Sequence, residues 1–188
     1  MSEEYRKAQI EEAQNILDRI IGFINNCDQK AGIMLATIGV MIAVGCTSDS
    51  FTELKRIVEE IMKFKGCRDY AFFIWIIVSV SSLCFGLYKI ILSLTACIDP
   101  NILKEKGISE IKSIIFFGDI SNRNDFNDFK KDFTDTSVEE YLNDLLSQIY
   151  INSHICDRKF ENYNKGRTNF IRGLSNFLAF ALSGSFIY

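Results

Sequence analysis

Three stretches without a charged side chain limit what this chain can fold into more than any other feature. Between Lys30 and Asp49 lie 18 such residues, AGIMLATIGVMIAVGCTS. Between Asp69 and Lys89 lie 19, YAFFIWIIVSVSSLCFGLY. After Arg172 come 16, GLSNFLAFALSGSFIY, running to Tyr188. As helices at ~1.5 Å per residue the first two extend about 27–29 Å, close to the ~30 Å of a bilayer's hydrocarbon core, and the third extends about 24 Å. A helix buried in a soluble core normally keeps a polar face. These stretches offer only small Ser, Thr and Cys groups, with one Asn in the third, which helix interfaces in membranes tolerate. The sequence therefore predicts a mainly α membrane protein with two to three transmembrane helices and a small, mostly helical cytoplasmic region. Tyr70, Trp75, Tyr88 and Tyr188 fall near the ends of the stretches, where aromatics with a polar tip favour the headgroup zone. The first 30 residues are too polar for a signal peptide.

Basic residues orient the spans. Residues 1–30 carry four Lys or Arg, residues 49–69 carry five, and residues 89–172 carry twelve. Two spans put the first and last groups on one side, which the larger count assigns to the cytoplasm. The N-terminus is then cytoplasmic, and a third span takes the C-terminus outside. The formal net charge of −3 argues against nucleic-acid binding through phosphates, which needs a basic surface.

Around the spans, the pattern divides the chain into four regions. Residues 1–30 form an amphipathic cytoplasmic helix, with Ile10, Ala13, Leu17 and Ile24 at helical spacing. Residues 31–98 contain two transmembrane helices and an outer-loop helix within 49–69. In that loop Ser50-x-x-Glu53 reads as a capping box and Gly66 as a stop, and its apolar face suits either the outer leaflet or the top of a bundle. The second span is expected to continue about two turns past Lys89 toward Pro100. Residues 99–170 form a cytoplasmic sensing region. In it, residues 111–120 are rich in β-branched and aromatic side chains and predict one short strand. Phe126, Phe129 and Phe133 mark a short helix, and Ser137-x-x-Glu140 caps the last long helix. Residues 171–188 form the third membrane segment, with Gly166 and Gly173 as expected bends before and within it. On the last helix Gln148, Asn152, Ile155 and Lys159 align at steps of four, three and four. This is either a solvent face, or a polar seam buried against other helices or lining a ligand pocket.

Chemistry is sparse. None of the six cysteines forms a CxxC pair and His154 is the lone histidine, so no metal is expected. Cys46 and Cys67 share the outer side, which permits a disulfide without implying one. No phosphate-binding glycine loop, nucleophile elbow or catalytic triad is present, and no cofactor or enzymatic activity is expected.

Three motifs in order carry a resemblance. Asp28-Gln29-Lys30-Ala31 stands at the entrance of the first span. Ser113-Ile114-Ile115-Phe116-Phe117-Gly118-Asp119-Ile120 follows the second. Tyr141, Asp144, Gln148, Asn152-Ser153-x-Ile155 and Lys159 precede the third. This arrangement, over roughly residues 10–180, resembles the transmembrane effector family of the bacterial Pycsar antiphage systems. The resemblance implies an effector that responds to cyclic CMP or cyclic UMP from a partner cyclase and impairs the inner membrane, causing abortive infection. Its implied ligand-binding candidates are Lys159, Gln148, Asn152, Phe117, Gly118, Asp119 and Tyr150, with Lys30 and Arg158 as further phosphate partners. Asp28 and Lys30 are gating candidates, Asp28 being placed to pair with Lys30 or Lys159. Phe116 and Phe117 have a plainer reading as core residues. Spans this poor in charge cannot line a pore singly, so a homo-oligomer is expected. The competing readings are a membrane scaffold or regulatory subunit that binds a protein partner, and a constitutive holin-type pore.

Overall fold

A computed structural model describes residues 3–45, 48–64, 66–95 and 113–187. Among the described residues six helices follow in order: α1 (Glu3–Gly45), α2 (Ser48–Ile61), α3 (Cys67–Leu94), α4 (Phe117–Ser121), α5 (Phe126–Asp135) and α6 (Val138–Ile187). No strand occurs among the described residues. Three helices among the described residues are long and apolar enough to cross a membrane: α1, α3 and α6, of 43, 28 and 50 residues. The third segment is thus the C-terminal end of an unbroken helix.

The chain forms two compact units. One comprises residues 1–26 and 96–158, the other residues 27–95 and 159–188. Both α1 and α6 run from one unit into the other without a break.

In the first unit Ala13 and Leu17 of α1 bury against Leu145 of α6, with Ile10, Ile115, Tyr141, Leu142 and Ile149 around them. The i, i+4 repeat of α1 supplies one side of this small core. At its rim Gln14 Nε2 donates to the Tyr141 hydroxyl at 3.1 Å. Helix α6 starts as its sequence predicts: the Ser137 backbone N–H donates to Glu140 Oε2 at 2.7 Å, and the Glu140 N–H donates to Ser137 Oγ at 3.2 Å. These bonds from Ser137 hold the Glu140 carboxyl below its ordinary range. A depressed carboxyl pKa stabilises the fold above the unfolded value and loses that contribution as pH falls through the folded one. Acidification below about pH 4 should therefore fray the first turn of α6 before the rest. Amide exchange at residues 138–142, compared with residues 145–150, checks this. Helix α5 is also as expected, with Asp125 accepting from the Asn127 and Asp128 N–H groups at 2.7 and 3.0 Å.

In the second unit α1, α3 and α6 pack through Ala31, Ile38, Ile90 and Phe170. Helix α2 buries Ile57 and Ile61 against Phe72 of α3 and Phe180 of α6. Its apolar face thus packs on the bundle. Close approach of α3 and α6 rests on glycine. A Cβ at Gly86 would lie 2.5 Å from the Phe170 nitrogen, and one at Gly166 would lie 2.8 Å from the Ile90 nitrogen. A Cβ at Gly173 would meet the Leu83 nitrogen at 2.7 Å. Backbone-to-backbone contact of this kind is how helices gain dispersion energy in lipid. Ser82 adds a bond across it, donating to the Asn169 carbonyl at 2.9 Å.

Several expectations are corrected. The described part of 111–120 is an irregular turn followed by helix α4, because Ser113 draws the backbone around itself instead of leaving it to pair with a strand. Gly166 and Gly173 gain a role that was not expected, as the positions where α6 meets α3. Helix α2 begins before Ser50, which places Ser50 and Glu53 inside the helix, and Glu53 pairs with Arg56 at 2.5 Å. The left-handed backbone after α2 is at Phe64 (φ 46°), while Gly66 is the extended N-cap of α3. Helix α3 ends at Leu94, about one turn past Lys89, with Thr95 as its C-cap. Pro100, Tyr188, Cys46 and Cys97 lie outside the described residues, and Cys67 carries a free thiol.

Candidate functional site

The polar groups of the first unit converge on Ser113. Its hydroxyl donates to Asp144 Oδ2 at 3.0 Å, and the Ile114 N–H donates to the same oxygen at 2.9 Å. In return Ser113 Oγ accepts from the Ile115 and Phe116 N–H groups at 3.1 and 2.8 Å. Gln148 Nε2 reaches it at 3.4 Å. The Ser113 N–H donates to Asp119 Oδ2 at 3.0 Å, which closes the turn from the other side. Arg123 ties the same turn down, donating to the Ser113 carbonyl at 3.2 Å and the Asp119 carbonyl at 3.3 Å while it pairs with Asp132. Asp144 is only 3% exposed and Gln148 7%. The second carboxylate oxygen, Asp144 Oδ1, is buried and accepts no hydrogen bond among the described residues. A buried acceptor in that state is costly unless a donor reaches it, which makes it a feature that calls for a partner.

The aligned residues of α6 are therefore no bare solvent face. Asn152 donates from Nδ2 to the Gln148 carbonyl at 2.8 Å and is half-buried. Tyr150 is exposed and sits edge-on to His154, ring centroids 4.6 Å apart. Phe117 is 78% exposed, which overturns its reading as core; Phe116 beside it is half-buried. Gly118 lies within α4 against the Phe116 ring, where a Cβ would come within 2.5 Å of a ring carbon. Asp119 is occupied by the Ser113 turn. Arg158 and Lys30 form no ion pair among the described residues, and Lys30 is exposed. Burial, and secondarily the charge of Asp157, pushes the Cys156 thiol up, so it is a poor nucleophile.

Beside the turn lies an open cleft of about 530 Å³ lined by Asp119, Asn122, Arg123, Asn124, Asp128, Lys131 and Asp132. Three carboxylates face two cations there, and one of those cations is already paired with Asp132. That balance disfavours an anionic ligand. No group of residues suited to hold a metal ion occurs among the described residues.

In the second unit Lys159 is 5% exposed, and its Nζ lies 2.6 Å from Asp28 Oδ1 and 3.5 Å from the Leu94 carbonyl. The ammonium thus joins α6 to α1 and to the C-terminal end of α3, where carbonyls lack helix partners. Of the two partners named for Asp28, the structure selects Lys159.

Ser113, Asp144 and Arg123 as the centre of a network were missed from composition and spacing. One signal was available: Asp144, Gln148 and Asn152 repeat at steps of four, so the polar line on α6 starts one turn earlier than Gln148.

A family model described as the Pycsar effector protein domain matches residues 12–187. The Pycsar effector protein GmPycTM of Gulbenkiania mobilis is 32% identical over 199 aligned positions, covering the whole of both chains. No solved structure matches.

Proposed function

The chain belongs to the Pycsar effector family, a family of antiphage defence effectors, and from that premise we propose that it is a membrane effector switched on by a cyclic nucleotide. Cyclic CMP or cyclic UMP acts as the signal. In this reading the first unit takes up the ligand at the Ser113 turn. Either pyrimidine presents an N–H on its base edge, and Asp144 Oδ1 is a buried acceptor without a donor. Gln148 and Asn152 carry amides that both donate and accept and so complement the rest of that edge. The exposed rings of Phe117 and Tyr150 provide stacking faces, Gly118 and Asp119 shape the turn, and Arg158 meets the phosphate.

The second unit responds. The Asp28–Lys159 pair holds the resting bundle, and Lys30 marks the cytoplasmic edge of the membrane. Activation loosens this pair, copies associate, and the inner membrane loses integrity, so the infected cell stops growing before phage mature. The N-terminus lies in the cytoplasm, following the excess of basic residues there. The observation that carries the reading is the continuity of α1 and α6: a shift at the Asp144 turn has an uninterrupted helical path into the spans. A ligand acts this way only by binding the active arrangement better than the resting one.

Calorimetry on the purified full chain tests the recognition step. Cyclic CMP or cyclic UMP should bind, and Gln148→Ala should weaken binding about tenfold, the size of one lost hydrogen bond to a buried group. Binding of neither nucleotide would favour the scaffold that binds a protein partner.

A further inference from the structure

We propose that the membrane-spanning part of α6 carries the contact surface for a second copy of this chain, and that it packs on the first span, α1, of its neighbour. The inference rests on the oligomer in the functional reading above and adds to it the surface and its arrangement.

The observation that starts it is a polar group at the wrong depth. Thr168, Arg172 and Asn176 follow one another at steps of four on α6, all exposed, with Ser175 beside them. Depth can be read from the packing of α3 and α6, since Gly173 sits against Leu83 and the Ser79 carbonyl. Asn176, about 4.5 Å further along the helix, is therefore level with the middle of the charge-free stretch 70–88. Its amide makes no hydrogen bond among the described residues. A carboxamide facing hydrocarbon at that depth leaves its two N–H donors and its carbonyl acceptor without partners, and the usual remedy is another helix.

The complementary surface is on α1. Gly32, Ala36, Gly39 and Ala43 are spaced four, three and four and are all exposed. A Cβ at Gly32 or Gly39 would meet nothing within 4 Å, whereas Gly86, Gly166 and Gly173 of the same unit are each filled by a neighbouring helix. Glycine inside a helix costs about 1 kcal/mol relative to alanine, so an uncovered pair is unexplained within one copy. A groove of small residues lets a second backbone approach closely and brings α1 carbonyls within reach of a side-chain amide.

Joining the two surfaces answers both anomalies at once. Two α1 grooves face to face would leave Asn176 in lipid. Two α6 faces would leave the glycines bare. A contact between different faces is head-to-tail, and repeated by rotation it closes into a ring, the form a pore requires.

Disulfide mapping of the full-length chain in bacterial membranes tests this, with the six native cysteines replaced. Copies carrying Ala43→Cys and copies carrying Ala179→Cys, both exposed positions one turn beyond Gly39 and Asn176 that leave those two residues in place, are differently tagged, co-expressed and oxidised with and without added cyclic CMP or cyclic UMP. The expected result is a mixed cross-link between the two tags, and a ladder of multimers when one chain carries both changes. Ile77→Cys on the exposed side of α3 should give neither. Asn176→Leu, tested by amine cross-linking in the native-cysteine chain, should lose the ladder, and Asn176→Gln should keep it. An Ala179→Cys chain that links only to itself would overturn the head-to-tail arrangement. Amine cross-linked oligomers without the mixed disulfide would overturn the surface while leaving the oligomer intact. Monomers under every condition would overturn the inference and the oligomer in the functional reading together.

Discussion

Replacing Gly166 with leucine should prevent the membrane unit from packing, with a loss of about 3 kcal/mol, the upper end of the cost of overfilling a packed interface. The reason lies in what surrounds the position. A Cβ there would come 2.8 Å from the Ile90 nitrogen and 2.9 Å from the Gly86 carbonyl, both backbone atoms of α3. A side chain can swing away from a new methyl group, but a helix backbone can only withdraw as a whole. Withdrawal would also break the Ser82–Asn169 bond and open the cluster around Ile90 and Phe170. Gly22 is the control, because a Cβ there meets nothing within 4 Å. Gly22→Ala should be neutral or stabilising by about 0.5–1 kcal/mol through helix propensity. Thermal unfolding of both variants in the same detergent checks the contrast. Equal midpoints for Gly166→Leu and the parent would contradict the packing argument.

The second large effect is asymmetric. Asp28→Ala should cost about 3 kcal/mol, while Lys159→Met should cost about 1 kcal/mol or less. The Asp28 side chain is 37% exposed and can return to water when its partner is removed, whereas the Lys159 ammonium is left buried with only the Leu94 carbonyl at 3.5 Å. The methionine side chain fills the space of the lysine stem, so packing is kept. Under the functional reading Asp28→Ala also weakens the resting state, so its expression without a cyclase should slow growth where the parent does not. Chemical unfolding separates the two single variants, and growth curves read the second consequence. An equal cost for both would show that the pair behaves as an exposed surface bridge.

The spans were legible because hydrocarbon selects on composition: losing charge over 16–19 residues leaves a chain few alternatives. The cap of α6 was legible for a related reason, since the Ser137–Glu140 box acts on its own neighbours. The Ser113 turn was not. Asp144 lies 31 residues from Ser113, and a β-rich segment such as 113–117 shows a strand preference that buried hydrogen bonds then overrule. Nothing local marks Gly166 and Gly173 as contact positions, because that role depends on where α3 lies. Asp28 could be placed at a membrane edge from sequence, but its choice of Lys159 over Lys30 depends on how α1 and α6 pack.

The most direct test of the account is dye release from sealed vesicles containing the purified full chain. Cyclic CMP or cyclic UMP added on the side of the N-terminus should release the dye, and vesicles without added nucleotide should stay tight. Release that is the same with and without nucleotide, or no release once binding is saturated, would contradict a membrane effector opened by that signal.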